Sequence, residues 1–203
     1  MNQKNKSPRD NILGRLRQNI ALSKQESLPI RSIKTPEADL IDIFSVEFSL
    51  AAGQLYTVAN TEEVAELIAQ LCEKNQWQSL FCPEDDIKNL LPLSLFDTLV
   101  TEKQADKADA AFTSCQALIA EFGAILVQAA QTRKATVLAP NHIVIAYQKQ
   151  LVYNIVEALA NTPSTIQTSM QSIITGPSRT ADIEKTLVMG AHGSKSLHLI
   201  LII

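Results

Sequence analysis

HIVIA at residues 142–146 and AILV at residues 124–127 decide the fold. Both runs are apolar on both faces, the pattern of strands buried in the middle of a sheet rather than half-exposed at an edge. Stretches with helical spacing lie between these and the other strand candidates. Strands alternating with helices argue for an α/β domain with a largely parallel sheet flanked by helices.

Working outward, TVLAPNHIVIAY reads as one strand region around its Pro140 interruption, and GAILVQAA as another. Upstream, ADAAFT (108–113), SLFCP (79–83, stopped by Pro83) and LYTVA (55–59) are strand candidates, with LFDTLV (95–100) a weaker one. Cys115–Glu121 reads as a short helix or loop. Helices are expected over Asp39–Ala51, over TEEVAELIAQLCEKNQ with Thr61 as its cap, and over Gln148–Leu159. The second of these carries acids in its first turn and Val64, Leu67, Ile68 and Leu71 on one face. Leu197–Ile203 is the last strand. PRDNILGRLRQNIAL (8–22) is an amphipathic helix that packs on its own domain or docks on a partner, followed by a loose linker.

The segment ITGPSRTADIEKT (174–186) concentrates polar groups between apolar runs. Gly176 allows a close backbone approach and Pro177 fixes the next φ. Ser178 and Thr180 can each cap a helix whose first turn holds Asp182 and Glu184. Free N–H groups at such a start, with Thr175 and Arg179 beside them, make an anion site for phosphate or carboxylate. A plain turn and cap explains the same residues. His192-Gly193 has small neighbours and a pKa near neutrality, so His192 is a candidate acid/base or anion ligand. Glu121-Phe122-Gly123 precedes a buried strand and can project a carboxylate into a cleft at the sheet edge, or be a solvated helix end. His142 and His198 read as structural residues.

The chain has 203 residues, 46% hydrophobic and 19% charged, enough for one packed domain. A formal net charge of -3 gives no reason to expect nucleic acid. The polar start MNQKNKSPRDN has no apolar core of a secretory signal, and no apolar run reaches membrane-spanning length. A soluble cytoplasmic protein is expected. Cys72, Cys82 and Cys115 are scattered, which argues against a disulfide framework and against an iron–sulfur cluster or other metal held by this chain.

These residues together resemble the lactate-utilisation protein C family, also called the LUD domain family. TGPSRTADIEKTLVMG, the His192-Gly193 pair and LHLIL follow the family signature; RDNILGRLR resembles its opening helix, and APNHIVIA its PPVHIVVV-like strand. The resemblance implies a fold of the NagB/RpiA/CoA-transferase type over residues 36–203, after an N-terminal helix and linker over 1–35. The family motif TGCDYAIADTGT, in which Glu often replaces the second Asp, corresponds to residues 113–124. Thr113, Ala120, Glu121 and Gly123 match; Ser114, Gln116, Phe122 and Ala124 depart from it, and Ser194 replaces the proline of HGP. The departures at Gln116, Phe122 and Ala124 remove hydrogen-bonding groups.

The resemblance implies oxidation of L-lactate to pyruvate alongside two cysteine-rich partner proteins that carry iron–sulfur clusters. A chain without GxGxxG, P-loop or CxxC fits the accessory subunit of such a system. A second reading is a stand-alone enzyme on a small anion, an acyl-CoA or sugar phosphate, with Glu121 as nucleophile. A third is a sensor that binds lactate or phosphate at Ser178, Arg179 and Thr180 without turnover.

Overall fold

The computed structural model describes residues 9, 12–15, 39–128, 133–162, 171–181, 187–189 and 193–203, and for residues 180, 181 and 187–189 the backbone alone. The chain divides into two compact units, Met1–Lys34 and Thr35–Ile203. In the first, residues 9 and 12–15 are helical; the rest of the expected 8–22 helix lies outside the described residues.

In the second unit, helix α1 (Leu40–Leu50) starts where Asp39 Oδ1 accepts the Ile41 N–H at 2.9 Å. Strand β1 (Gln54–Val58) leads into helix α2 (Thr61–Asn75). The cap of α2 is Asn60, one residue before the expected Thr61. Its side chain accepts the Glu63 N–H at 3.0 Å, and Glu63 reaches back to the Ala59 N–H. An amide oxygen one residue earlier satisfies the free N–H groups, leaving Thr61 as the first helical residue.

Strands β2 (Leu80–Phe81) and β3 (Ala110–Thr113) flank helix α3 (Asp85–Lys88). The expected strand at 95–100 is a 3-10 turn, Leu93–Thr98, opened by Pro92 and closed by the Thr98 hydroxyl on Leu95 O. Leu99 alone bridges Leu80. Residues 115–121 are neither helix nor loop throughout. They hold strand β4 (Ala117–Ile119) and a 3-10 turn, Ala120–Phe122. Leu118 and Ile119 fill two different cores on opposite faces, which only a period of two achieves. Strand β5 (Ala124–Gln128) follows.

TVL belongs to helix α4 (Arg133–Leu138), and Pro140 divides it from strand β6 (Asn141–Tyr147). The expected helix over 148–159 is broken. After a 3-10 turn come strand β7 (Leu151–Val152) and helix α5 (Ile155–Ala160). Two side chains break it. Gln150 turns back to accept the Tyr147 N–H at 2.7 Å and donates to Cys115 O at 2.6 Å, and Asn154 restarts the helix as its cap. Strands β8 (Gln171–Ile174), β9 (Arg179–Ala181), β10 (Leu187–Met189) and β11 (Ser196–Ile202) complete the described chain.

Five strands form a parallel sheet in the order β1-β11-β6-β3-β2. Four form a mixed sheet, β7-β4-β5-β8, and β9 pairs with β10 in a hairpin. One face of the parallel sheet, with Phe112, Ile143, Ile145 and Ile200, packs on α2 through Val64, Ile68 and Leu71. Its other face, with Val144, Leu197, Leu199 and Leu201, meets Leu118, Ile125 and Val127 of the mixed sheet and Phe44 and Phe48 of α1. The two phenyl rings stack at 5.3 Å. The outer face of the mixed sheet is covered by α5 through Ile155 and Ala158. Fully buried central strands explain why HIVIA and AILV show no alternation.

Gly123 fixes the approach of α1. It follows the 3-10 turn at φ 55°, and a Cβ there would run into the backbone of Glu47 and Phe48. Only glycine combines that left-handed conformation with so close a helix.

Candidate functional site

A cavity of about 300 Å³ opens where β6 and β11 begin. Thr136 and Val137 of α4, His142 of β6, Leu197 of β11 and the Gly193-Ser194 turn line one side. Ser172 and Ile174 of β8, with Thr175, Gly176 and Ser178 of the following loop, line the other. Ser172 and Ile174 lie opposite Val127 and Ile125 in the β5–β8 register, so they face the space between the sheets. Ligands of open α/β sheets usually lie beyond the carboxyl ends of parallel strands. This cavity lies at the opposite, amino-terminal ends, where Leu197 pairs with His142.

The loop is tied to the Gly193-Ser194 turn, which is itself tied to the residues after α4. Ser178 N–H donates to Ser194 O at 2.8 Å, Ser194 Oγ donates to Ala139 O at 2.8 Å, and Lys195 N–H donates to Pro140 O at 2.7 Å. Gly176 passes so near the end of α1 that a Cβ would strike Ala51 O, and a Cβ on Gly193 would come within 3.3 Å of Ser178 Cβ. Glycine is required at Gly176 by this close approach.

His142 is 1% exposed and its Nε2 lies 2.8 Å from Thr113 Oγ1, itself fully buried. Burial, with a smaller contribution from His198, pushes its pKa down to about 4, so the ring is neutral near pH 7. His198, on the other face of the parallel sheet, stacks on Tyr56 and meets the edge of Trp77, with Nε2 3.0 Å from Ser196 Oγ. Burial and then the Lys74 charge bring its pKa to about 4 as well. Both histidines are core residues, and His142 also lines the cavity, a placement the sequence reading missed. The signal was a single ring with two nitrogens inside an otherwise apolar buried strand.

Of the residues expected to bind an anion, Thr175, Gly176 and Ser178 line the cavity. Arg179 does not. It is exposed, and its Nη2 donates to Ala51 O at 3.1 Å, at the carboxyl end of α1. A cation there satisfies a free carbonyl and complements the helix dipole. The expected helix cap at Ser178 or Thr180 is absent, because residues 179–181 form β9, paired with 187–189. The apolar Leu-Val-Met run supplies a strand partner, and a hairpin takes the backbone bonds a helix would have used. Asp182 and His192, and the Thr180 side chain, lie outside the described residues.

Glu121 sits partly buried in the turn between β4 and β5, its N–H donating to Tyr153 O at 2.9 Å. It is not among the residues lining the cavity. At the carboxyl ends of β2 and β3, the Glu84 carboxylate accepts the Ser114 N–H at 2.9 Å and the Ser114 hydroxyl. Ser114 is one of the departures from the family motif, and its hydroxyl is used to hold the β2 and β3 loops together.

The three thiols are buried. Desolvation raises Cys72 to about 11 and Cys82 to about 12, and pushes Cys115 up as well. Cys72 and Cys82 pack in the core under α2, and Cys115 in the core between the sheets. Among the described residues, no three His, Cys, Asp or Glu side chains are placed to hold a metal ion. No helix among them is long and apolar enough to cross a membrane.

Comparison with known proteins agrees with this architecture. A crystal structure of a DUF162 family protein from Deinococcus radiodurans superposes with a TM-score of 0.62 at 17% identity, covering 83% of this chain and 99% of that one. The Lactate utilization protein C of Deinococcus radiodurans is 28% identical over 200 residues, 90% of each chain. The LUD domain model matches residues 42–202, which takes in both sheets and every residue lining the cavity. The chain belongs to the LUD domain family.

Proposed function

We propose that this protein acts in lactate utilisation, as an accessory subunit of a system that oxidises L-lactate to pyruvate together with iron–sulfur partner proteins. The observation that carries the reading is the end-to-end similarity to a Lactate utilization protein C, 28% over 90% of both chains. Oxidation of lactate releases two electrons and two protons. In this reading the electrons pass to clusters held by the partners, because the thiols of this chain are protonated packing groups in two separate cores. The fold offers a small-molecule cavity, and the chain carries no nucleotide-binding glycine motif.

The test is lactate-dependent dye reduction by the purified partners, with and without this chain. A rate that appears only on adding the chain is the expected result. An unchanged rate would remove the subunit role. The competing enzyme reading places Glu121 at the reacting centre. Its position away from the cavity weighs against that reading, and survival of all turnover in Glu121→Gln would end it.

A further inference from the structure

We infer that the cavity at the starts of β6 and β11 binds a small carboxylate, and that the His142 Nδ1–H group is the donor that fixes it. This goes beyond the subunit role and does not depend on it.

The direction of the buried hydrogen bond decides the tautomer. Thr113 is 0% exposed, and among the described residues its hydroxyl has His142 Nε2 as its one partner. If Nε2 carried the ring proton, it would donate to Thr113 Oγ1 and leave the threonine O–H buried with no acceptor. That arrangement costs about 1–3 kcal/mol. The threonine therefore donates to Nε2, and the neutral ring carries its proton on Nδ1. His142 lines the cavity and has no other hydrogen bond among the described residues, so Nδ1–H is left for whatever occupies the cavity.

The other lining groups point to the same ligand class. Ser172 and Thr175 line the cavity, and their hydroxyls have no protein partner among the described residues. Thr136 and Ser194 have already given their protons to Arg133 O and Ala139 O. Among the described residues, no Asp or Glu lines the cavity, so a cationic ligand finds no matching charge on them. A carboxylate, with lone pairs on two oxygens and no donor of its own, accepts from the ring N–H and the free hydroxyls together. Val137, Ile174 and Leu197 supply an apolar wall for a short carbon chain. At about 300 Å³ the space lies at the small end of ligand pockets.

The experiment is a long-range proton–nitrogen NMR spectrum of the imidazoles in the full chain, recorded during titration with L-lactate, pyruvate and acetate. Lactamide and propane-1,2-diol serve as neutral controls. The expected result is a protonated His142 Nδ1 in the free protein and saturable shifts of that nitrogen with the carboxylates. Thr113→Val frees Nε2 from its donor and should weaken carboxylate binding by about tenfold, the worth of one hydrogen bond. Because tautomer and titration are read on the unaltered chain, a poorly folding variant leaves the inference open to refutation. It is overturned by a proton resting on Nε2, by no binding of any carboxylate, by equal binding of the neutral controls, or by binding that leaves His142 unmoved. Dye reduction by the partners reads the subunit role separately, so failure of one does not imply failure of the other.

Discussion

Mild acid should destabilise this protein through its two buried histidines. His142 and His198 have folded-state pKa values pressed from 6.5 to about 4, in both cases chiefly by burial. Below pH 6.5 the unfolded chain takes up a proton at each ring while the folded chain does not. Their contribution is therefore complete above pH 6.5 and is lost as the pH falls towards 4. Each histidine removes about 1.4 kcal/mol of stability per pH unit in that window. Over the two units below 6.5 the loss is about 2.7 kcal/mol for one ring and about 5 kcal/mol for both, against a typical total of about 5–15 kcal/mol. Urea unfolding followed by circular dichroism, at several pH values between neutrality and the lower limit of the window, measures it directly. His198→Gln should halve the slope of unfolding free energy against pH. Asp109 does not confuse the window. Burial raises its carboxyl, but the N–H groups of Gln78 and Ser79 and the Ser79 hydroxyl outweigh that and hold it below 3.8, so its effect appears only at lower pH. Equal urea midpoints at both ends of the window, or a slope untouched by the histidine variant, would refute the reasoning.

Three further outcomes are expected. Gly123→Ala should cost at least about 2 kcal/mol, since it adds left-handed strain to a collision with the α1 backbone, and a melting curve reads it. Arg179→Ala should cost no more than about 1 kcal/mol, through the lost bond to Ala51 O at the end of α1, and should leave carboxylate titrations of the cavity unchanged. A large loss of ligand affinity would instead return Arg179 to the binding site. Phe48→Ala should cost about 3–5 kcal/mol in urea unfolding, because its fully buried ring stacks on Phe44 and fills the space between helix and sheets.

The buried sheets were legible because HIVIA, in the parallel sheet, and AILV, in the mixed one, are apolar on both faces, a pattern that burial between layers explains. Alternation over short stretches was not. Leu118 and Ile119 serve two cores across three residues of β4, too short a run to show its period against the helix and loop alternatives. Side chains acting on the backbone hid other boundaries, as with Gln150 and Asn154, whose hydrogen bonds cut one apparent helix into a turn, a strand and a short helix. Thr175, Gly176 and Ser178, singled out by their composition, line the cavity. Arg179 was grouped with them because a guanidinium near hydroxyls suggests an anion, whereas its partner in the structure, Ala51 O, lies 128 positions away. His142 was passed over as a structural residue, which its burial supports. Only its position at a strand start beside the cavity gives its second nitrogen another use.

β11 sits inside the parallel sheet, between β1 and β6, although it follows every other described strand in sequence, and among the described strands it is the one neighbour of β1. Tyr56 on β1 and His198 on β11, in contact across the sheet, are 142 positions apart. The sheet therefore cannot close from its early strands alone. During synthesis β1 and β6 wait with unpaired edges until Ser196–Ile202 arrives and seats between them. Such long-range pairing makes folding slow. It also leaves adhesive strand edges exposed meanwhile, so the yield of folded protein in a cell depends on how well those edges are shielded before β11 is made.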